Sequence, residues 1–576
     1  MSKGVFRIIQ KIKSLEWQTK LAIVIVFALV IVEYNFFSGF KHLPGPMYGG
    51  DIYAHLGFTQ NYINNGFWTD PYFVGEYAYY AWLGNLGIAI FSFVFGLSLM
   101  KGMIYFPILT TILSAMAYWF LGKQVFKSKT YALITMVAYL AYNGIPGAAP
   151  NSLAWMITTP FFFYFWLKSE EESSWKNKLF AGVFLGLTSL VQVAFFLSAL
   201  SIFIFTTIIE TFHNKKRVKD YFRKYALIFL VGLIVSLPFY GVIIVKYHGL
   251  TKNPLFQYND RNVDLLGVGW AADTVISYFF NNSNTFRLVE GLIALAGIYV
   301  AITNFGKLGA RFTLLWFIIG ALIPLHHLIT RPLFDKFILP GHLWGISVSF
   351  ILFFVYGLIM LFSLADKYLQ DKSSKAKFVL VAIILIPLLI IKIQDFDSDR
   401  WVNYGRNLDP LTKAWLDAGE WIQKNTDKNT VFLAYDESCF AMNGVSGRKC
   451  VAVRRTHANY FVDVEQRYAD AIIMLYGKNE TTSNNLIQRY NVSYVLIDPY
   501  LLQSYWKIMP KFEDYLKENG IEYKKGKDRL DPAVADAKQF DLLIVQAQNI
   551  TLQNKMKPET GFPASIPQIA IFKVED

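Results

Sequence analysis

The sequence predicts a polytopic α-helical membrane protein that carries an α/β domain in its C-terminal part. Three observations predict it. Of 576 residues, 54% are hydrophobic and only 17% are charged, where soluble domains carry roughly 45–50% apolar and about 25% charged residues. Mean hydropathy is +0.33. The apolar residues are also concentrated, in dense runs across residues 21–393, whereas 394–576 reads like an ordinary water-soluble domain. There is no short repeat and no low-complexity tail.

The net charge of +13 raises the question of a nucleic-acid partner. A nucleic-acid face is one contiguous basic patch with interleaved aromatics. Here the cations fall in short loops between alternate apolar runs, which is a membrane-orientation pattern. The composition therefore argues against nucleic acid and for membrane lipid as the chain's surroundings.

Residues 1–20 form a basic amphipathic stretch (Lys3, Arg7, Lys11 and Lys13 among Val5, Phe6, Ile8, Ile9, Ile12, Leu15 and Trp17), suited to the cytoplasmic membrane surface. The first span, 21–37, has no small-residue cleavage site after it and reads as a retained anchor. Further basic loops surround Lys123–Lys129, Lys168–Lys178, Lys215–Lys224, Lys307–Arg311 and Lys367–Lys377. Alternation results if further spans lie near 102–122, 130–142, 152–167, 179–191, 193–211, 225–246, 287–304, 312–328, 342–365 and 378–393. That makes about eleven spans in a domain covering 21–393. The apolar stretch 81–100 is then a juxtamembrane helix within one long outer loop, 38–101, because a crossing there would turn the most basic loops outward. An odd number of spans sends 394–576 to the extracytoplasmic side.

That outer domain shows helical spacing over 410–425, 463–476 and 484–489, with strands over 430–435, 492–497, 540–546 and 568–574. Its three Asn-X-Ser/Thr tripeptides are compatible with an outside location. Cys439 and Cys450 are the chain's two cysteines, and in an oxidising compartment they could pair or stay reduced.

The chemistry candidates lie in the outer loops. Gly49-Gly50-Asp51-Ile52-Tyr53-Ala54-His55-Leu56 puts a carboxylate a few residues past a span, where desolvating an anion costs several kcal/mol or so. Asp51 is either the N-cap of a helix or a functional acid. His55 falls one turn later on the same face, as a partner of Asp51, a ligand or a packed histidine. The aromatic and acidic run that follows, through Glu76 and Tyr80, suits stacking on sugar rings or an interfacial belt. His327, Arg331 and Lys336 stand in a second dense outer segment, where the cations either hold a lipid phosphate or reach toward head groups. One Asp and one His make a weak metal signal.

The chain resembles the GT-C membrane glycosyltransferases, most of all archaeal members related to the oligosaccharyltransferase catalytic subunit. The matching stretches are Gly50-Asp51-Ile52-Tyr53-Ala54-His55-Leu56, Trp415-Leu416-Asp417-Ala418-Gly419-Glu420-Trp421-Ile422, and Ser446-Gly447-Arg448 followed by Tyr494-Val495-Leu496-Ile497. The resemblance implies sugar transfer from a polyprenyl-phosphate donor to a glycan, lipid or protein acceptor at the outer face. By position, Asp51 is the acidic residue of the first outer loop, catalytic as the base or acceptor-orienting group. The residues themselves add His55, Glu76, His327, Arg331 and Lys336 as substrate-binding candidates. Two departures stand out. The second outer loop, 143–151, lacks the acidic pair that helps those enzymes bind Mg²⁺ or Mn²⁺, and Ala434-Tyr435-Asp436-Glu437-Ser438 stands where the acceptor-peptide motif WWDYG belongs. Both favour a metal-independent single-sugar transferase. A sequon-directed oligosaccharyltransferase and a non-enzymatic lipid-linked glycan transporter or scaffold are the alternatives.

Overall fold

The computed structural model describes residues 14–43, 51–142, 150–172, 174–213, 218–249, 252, 268–280, 285–322, 344–369, 373–394, 405–408, 410–477, 479–498, 506–507, 512–521, 524–525, 529–531, 547–551 and 569–574. The chain forms two compact units that do not follow chain order. One comprises Met1–Gly39, Ile104–Pro238 and Asn259–Asp399; the other comprises Phe40–Met103, Phe239–Tyr258 and Arg400–Asp576.

The first unit is helical. Trp17–Ser38, Leu99–Phe126, Val193–Phe212 and Tyr225–Tyr247 are long and apolar enough to cross a membrane, with Leu99–Met103 and Phe239–Tyr247 of these counted in the second unit. The remaining expected spans fall on helices Lys129–Tyr142, Thr159–Glu172, Trp175–Val191, Thr285–Thr303, Leu308–Leu322, Trp344–Leu369 and Ser373–Gln394. The span expected at 152–167 opens irregularly, with a 3₁₀ turn at Pro150–Ser152 and a π-turn at Ala154–Thr158. Pro160 explains part of this, because it lacks the N–H that an α-helix would offer to the carbonyl of Met156. Glu33, a carboxylate inside the first helix, is fully buried and accepts the Thr111 hydroxyl at 2.7 Å. Helices Thr285–Thr303 and Trp344–Leu369 touch backbone to backbone at Gly297 and Gly357, where any Cβ would meet Phe353 or Ile293 carbonyls. Small residues at a helix crossing are how apolar helices gain dispersion contact where burial in lipid supplies no drive.

The second unit is built on one aromatic-rich core. It draws Phe58, Tyr62, Tyr72 and Phe73 from the segment after residue 50 and Phe440, Tyr468, Ile472 and Tyr476 from the C-terminal segment. The 81–100 stretch holds a short helix, Leu83–Val94. The sheet is mixed. Strands β1 (Val431–Leu433), β2 (Lys449–Cys450) and β3 (Val492–Ile497) are parallel, with β1 between the other two. Counting in chain order, β4–β6 are the short strands Trp506–Lys507, Lys524–Lys525 and Arg529–Asp531, which form a separate antiparallel ribbon. Strands β7 (Ala547–Thr551) and β8 (Ala570–Val574) then extend the main sheet antiparallel, in the order β2-β1-β3-β8-β7.

Helix Pro410–Asn425 starts on proline, whose missing N–H costs nothing at that position, and buries Ala414, Trp415, Ala418 and Ile422. Helix Val464–Tyr476 is capped by Asp463, which accepts from the Gln466 amide at 3.0 Å. Helix Glu480–Tyr490 starts four residues earlier than its apolar spacing suggests, because Asn479 caps it.

One expectation needs correction. The strand expected over 430–435 is only Val431–Leu433, and helix Asp436–Ser446, which the apolar spacing did not announce, follows it. That helix ends on Gly447 at φ 69°, a left-handed cap that favours glycine. Cys439 and Cys450 are buried free thiols, with Cys450 Sγ donating to the Cys439 carbonyl at 3.5 Å. The strand expected over 540–546 lies outside the described residues, as do the 143–149 loop and the segment holding His327, Arg331 and Lys336.

Helices Asp51–Asn65 and Asp436–Ser446 meet at Gly57 and Gly444. A Cβ on Gly57 would stand 2.7 Å from the Asn443 carbonyl oxygen, and one on Gly444 would stand 2.9 Å from that of Tyr53. Backbone cannot give way as a side-chain tip does. Gly57→Ala should destabilise this unit by about 1–3 kcal/mol, read as an earlier thermal unfolding transition in detergent; an unchanged transition would show that the two helices separate freely.

Candidate active site

Asp51 opens helix Asp51–Asn65, where the helix dipole favours an anion. Its side chain is 64% exposed and its Oδ1 lies 3.0 Å from His457 Nε2. Hydrogen bonding from His457, outweighing burial, holds the Asp51 carboxyl below the usual carboxylate range. The group is therefore an anion at neutral pH, and His457 Nε2–H is the donor. Among the described residues, no partner is recorded for Asp51 Oδ2.

His457 is held from several sides. It closes the 3₁₀ turn Arg455–His457. The Tyr79 hydroxyl donates to its carbonyl, and its ring lies 4.9 Å from that of Phe440. Arg454, three residues earlier, stacks on the same Phe440 ring at 3.9 Å and forks onto Glu437, Nε reaching its two oxygens at 2.9 and 2.8 Å. The Arg454 charge also reaches Asp51 and adds to the lowering of its pKa.

Behind this surface stands a buried polar node. Asp70 Oδ1 accepts the backbone amides of Tyr72 at 2.6 Å and Phe73 at 2.8 Å, and Oδ2 accepts Asn459 Nδ2 at 2.7 Å. Asn459 also donates to the Tyr77 carbonyl at 3.1 Å, and its Oδ1 accepts the Phe461 amide at 2.9 Å. Lys449 Nζ donates to Asn61 Oδ1 at 2.5 Å and to the Asp70 carbonyl. Burial pushes the Asp70 carboxyl up to about 6 and pulls the Lys449 ammonium down to about 8. The node ties the 66–82 loop to the segment that carries His457, two residues before Asn459.

The sequence-derived candidates are placed differently from one another. Asp51 faces the surface. His55 is 3% exposed, with Nδ1 3.2 Å from Asn85 Oδ1 and its ring against Phe58 and Tyr80. Burial pushes its imidazole down to about 4, so it is neutral and Nδ1–H donates to Asn85. Glu76 is partly exposed, 3.4 Å from the Tyr247 hydroxyl and 3.7 Å from Arg467. His327, Arg331 and Lys336 lie outside the described residues.

His457 and Arg454 were not singled out from the sequence. One signal for them exists: Arg454-Arg455-Thr456-His457 is a dense cationic run in a domain of otherwise ordinary composition, and it holds one of only eight histidines.

A divalent ion takes six or more oxygens or a near-octahedral shell. Asp51 and His457 supply two donors, and among the described residues no group of three or more His, Cys, Asp or Glu side chains could hold a metal ion.

Asp70 supplies a pH signature. Its folded-state pKa of about 6 lies above the ordinary 3.8. Its contribution to stability is then fully present below pH 3.8 and lost as pH rises through about 6. Asp70→Asn removes that dependence and leaves an amide facing the Asn459 amide. The variant should melt below wild type, with a gap that narrows from about pH 4 to about pH 7; a gap that widens would refute the assignment.

No family model matches the chain. The uncharacterized protein MJ1080 of Methanocaldococcus jannaschii is 32% identical over 126 residues, which is 20% of this chain and 88% of that protein. The apo oligosaccharyltransferase of Archaeoglobus fulgidus superposes with a TM-score of 0.52 at 15% identity, over 84% of this chain and 69% of that one. The archaeal oligosaccharyltransferase AglB of the same organism, in complex with an inhibitory peptide and a dolichol-phosphate, gives 0.51 at 13% identity, over 86% and 74%. The mycobacterial arabinofuranosyltransferase AftD gives 0.57 at 11% identity, over 97% of this chain and 40% of that one. The likeness to these structures is one of fold.

Proposed function

This chain belongs to the family of the M. jannaschii protein MJ1080 and is structurally similar to the GT-C membrane glycosyltransferases; on that footing we propose that it transfers a sugar from a polyprenyl-phosphate-linked donor to an acceptor hydroxyl at the outer membrane face. One observation carries the proposal. An exposed carboxylate at a helix N-terminus is oriented by a histidine from a distant part of the chain, at 3.0 Å, leaving a second oxygen to meet the acceptor.

The chemistry is an inverting displacement. The acceptor oxygen attacks the anomeric carbon, and the carbon–oxygen bond to the lipid phosphate breaks with its electron pair leaving on the phosphate. The acceptor proton passes to Asp51 Oδ2. The lowered pKa makes Asp51 a weak base, so it takes the proton late, after the acceptor oxygen has gained positive character. His457 and Arg454 keep the carboxylate ionised and aimed. We assign His327, Arg331 and Lys336 to the departing phosphate, whose growing charge a guanidinium and an ammonium would stabilise. Glu76 is assigned to acceptor binding, and His55 acts through packing behind Asp51.

The single-sugar reading is favoured over a sequon-directed one by Asp436. This carboxylate occupies the place of the acceptor-peptide motif, yet it accepts the Tyr468 hydroxyl at 2.7 Å and the Glu437 amide at 2.9 Å. Burial, with the neighbouring Glu437 charge, pushes it up to about 6. It is engaged with its own domain and is not presented to a peptide.

The test is a transfer assay in proteoliposomes with radiolabelled polyprenyl-phosphate sugar, with and without a sequon peptide. Asp51→Asn should lower turnover by about 100-fold or more, and His457→Ala by about tenfold. Near wild-type turnover in Asp51→Asn would remove Asp51 from the mechanism. Label appearing on the sequon peptide would establish the oligosaccharyltransferase reading instead. The outer placement of 394–576 is checked by labelling a cysteine introduced at exposed Lys424 with an impermeant maleimide in intact cells; it should react without lysis.

A further inference from the structure

The second unit contains a cleft of about 330 Å³, lined among others by Glu76, Lys252, Asp463, Arg467, Arg489 and Tyr490. Its centre is Arg467. The guanidinium lies over the Phe73 ring, 4.1 Å from its centroid, and near the Tyr490 ring at 5.1 Å. Its side chain is only 12% exposed. An arginine so enclosed normally satisfies most of its five N–H groups. This one donates to the Val451 carbonyl at 3.5 Å and stands 3.7 Å from Glu76, beyond hydrogen-bond reach. Aromatic contacts fix the plane, and the fork is left open.

We infer that this cleft binds a carboxylate-bearing sugar, a uronic acid unit of the acceptor glycan, with Arg467 gripping the carboxylate through two parallel N–H donors. The glycan part of this assignment rests on the transferase reading above. Arginine's planar fork matches a carboxylate in a way that a lysine's point charge does not. The charges set the class of anion. Lys252 and Arg467 balance Glu76 and Asp463, and Arg489 lies 3.9 Å from Asp470, so the cleft has no charge surplus to hold a dianion. A dianionic phosphate would meet the Glu76 carboxylate close beside the fork. Glu76 and Asp463 in turn accept from ring hydroxyls, and the Tyr490 face offers a stacking surface for the sugar. The volume admits about one ring with its substituents.

The site is tied to the catalytic surface. Glu76 meets the Tyr247 hydroxyl, and the same hydroxyl accepts from Asn459 at 3.1 Å. Asn459 stands two residues from His457. A uronic acid held here would place the rest of the acceptor along the segment that carries the Asp51–His457 pair.

The experiment measures binding of cellobiouronic acid and of neutral cellobiose to the full chain in detergent by calorimetry. The acidic disaccharide should bind about tenfold or more tightly than the neutral one, with the preference weakening as salt rises. Arg467→Lys, which keeps the charge and removes the fork, should bring the acidic disaccharide close to the neutral level while leaving cellobiose binding unchanged. Equal affinities in wild type, an intact preference in Arg467→Lys, or glucose 6-phosphate displacing the probe more effectively than glucuronate would each overturn the assignment. Should wild type show the preference yet transfer no sugar, the cleft assignment stands and the transferase reading falls.

Discussion

The burial of Asp70 is the constraint on which the second unit depends. A carboxylate removed from water must find donors or give up its charge. Asp70 finds three, two from the backbone just after it and one from Asn459. Those bonds fix the turn that follows Asp70 and fasten it to a segment nearly four hundred residues away in sequence. Lys449 completes the arrangement from a third place by holding the Asp70 carbonyl and Asn61. Because every member binds two or more others, removal of one leaves the rest as unpaired buried polar groups, which is why such nodes hold a single geometry.

The surface that carries Asp51 and His457 inherits its shape from this node. His457 and Asn459 lie on one short stretch, so the anchoring of Asn459 sets where the imidazole can reach. Phe440 adds a second reference, since both the His457 ring and the Arg454 guanidinium rest on it. Asp51 then needs no deep burial to be oriented. It keeps one oxygen on His457, and it stays ionised by virtue of that bond and of its helix N-terminus. Conversely, His55, one turn along the same helix, lies in the aromatic core, where desolvation removes its charge. Two residues four apart thus differ in setting, one facing the surface and the other facing the core.

Part of this was readable from residue order. The concentration of apolar residues announced helices of membrane-crossing length, whereas the composition change near residue 394 gave no sign that residues 40–103 share a compact unit with 400–576. Asp51 stood out because an acid beside a long apolar run is costly. His457, Arg454, Asn459 and Arg467 did not stand out, since charged and polar residues are ordinary in a soluble-looking domain. Helix Asp436–Ser446 was missed for a related reason. It is buried on nearly all sides, so its residues lack the one-sided apolar spacing by which an amphipathic helix is recognised.

By itself, then, the sequence determined the helical class, the positions of the long apolar segments and the acid that follows the first of them, because hydrophobic periodicity and the cost of a stray charge are local properties. Tertiary structure alone decided which partner that acid receives, that His55 is a core residue, and that Arg467 keeps an open fork over two rings. The first and the last depend on contacts between residues hundreds of positions apart, and the second on contacts up to 30 positions away. Their energies come from desolvation and from hydrogen-bond geometry, neither of which is set until the chain has folded.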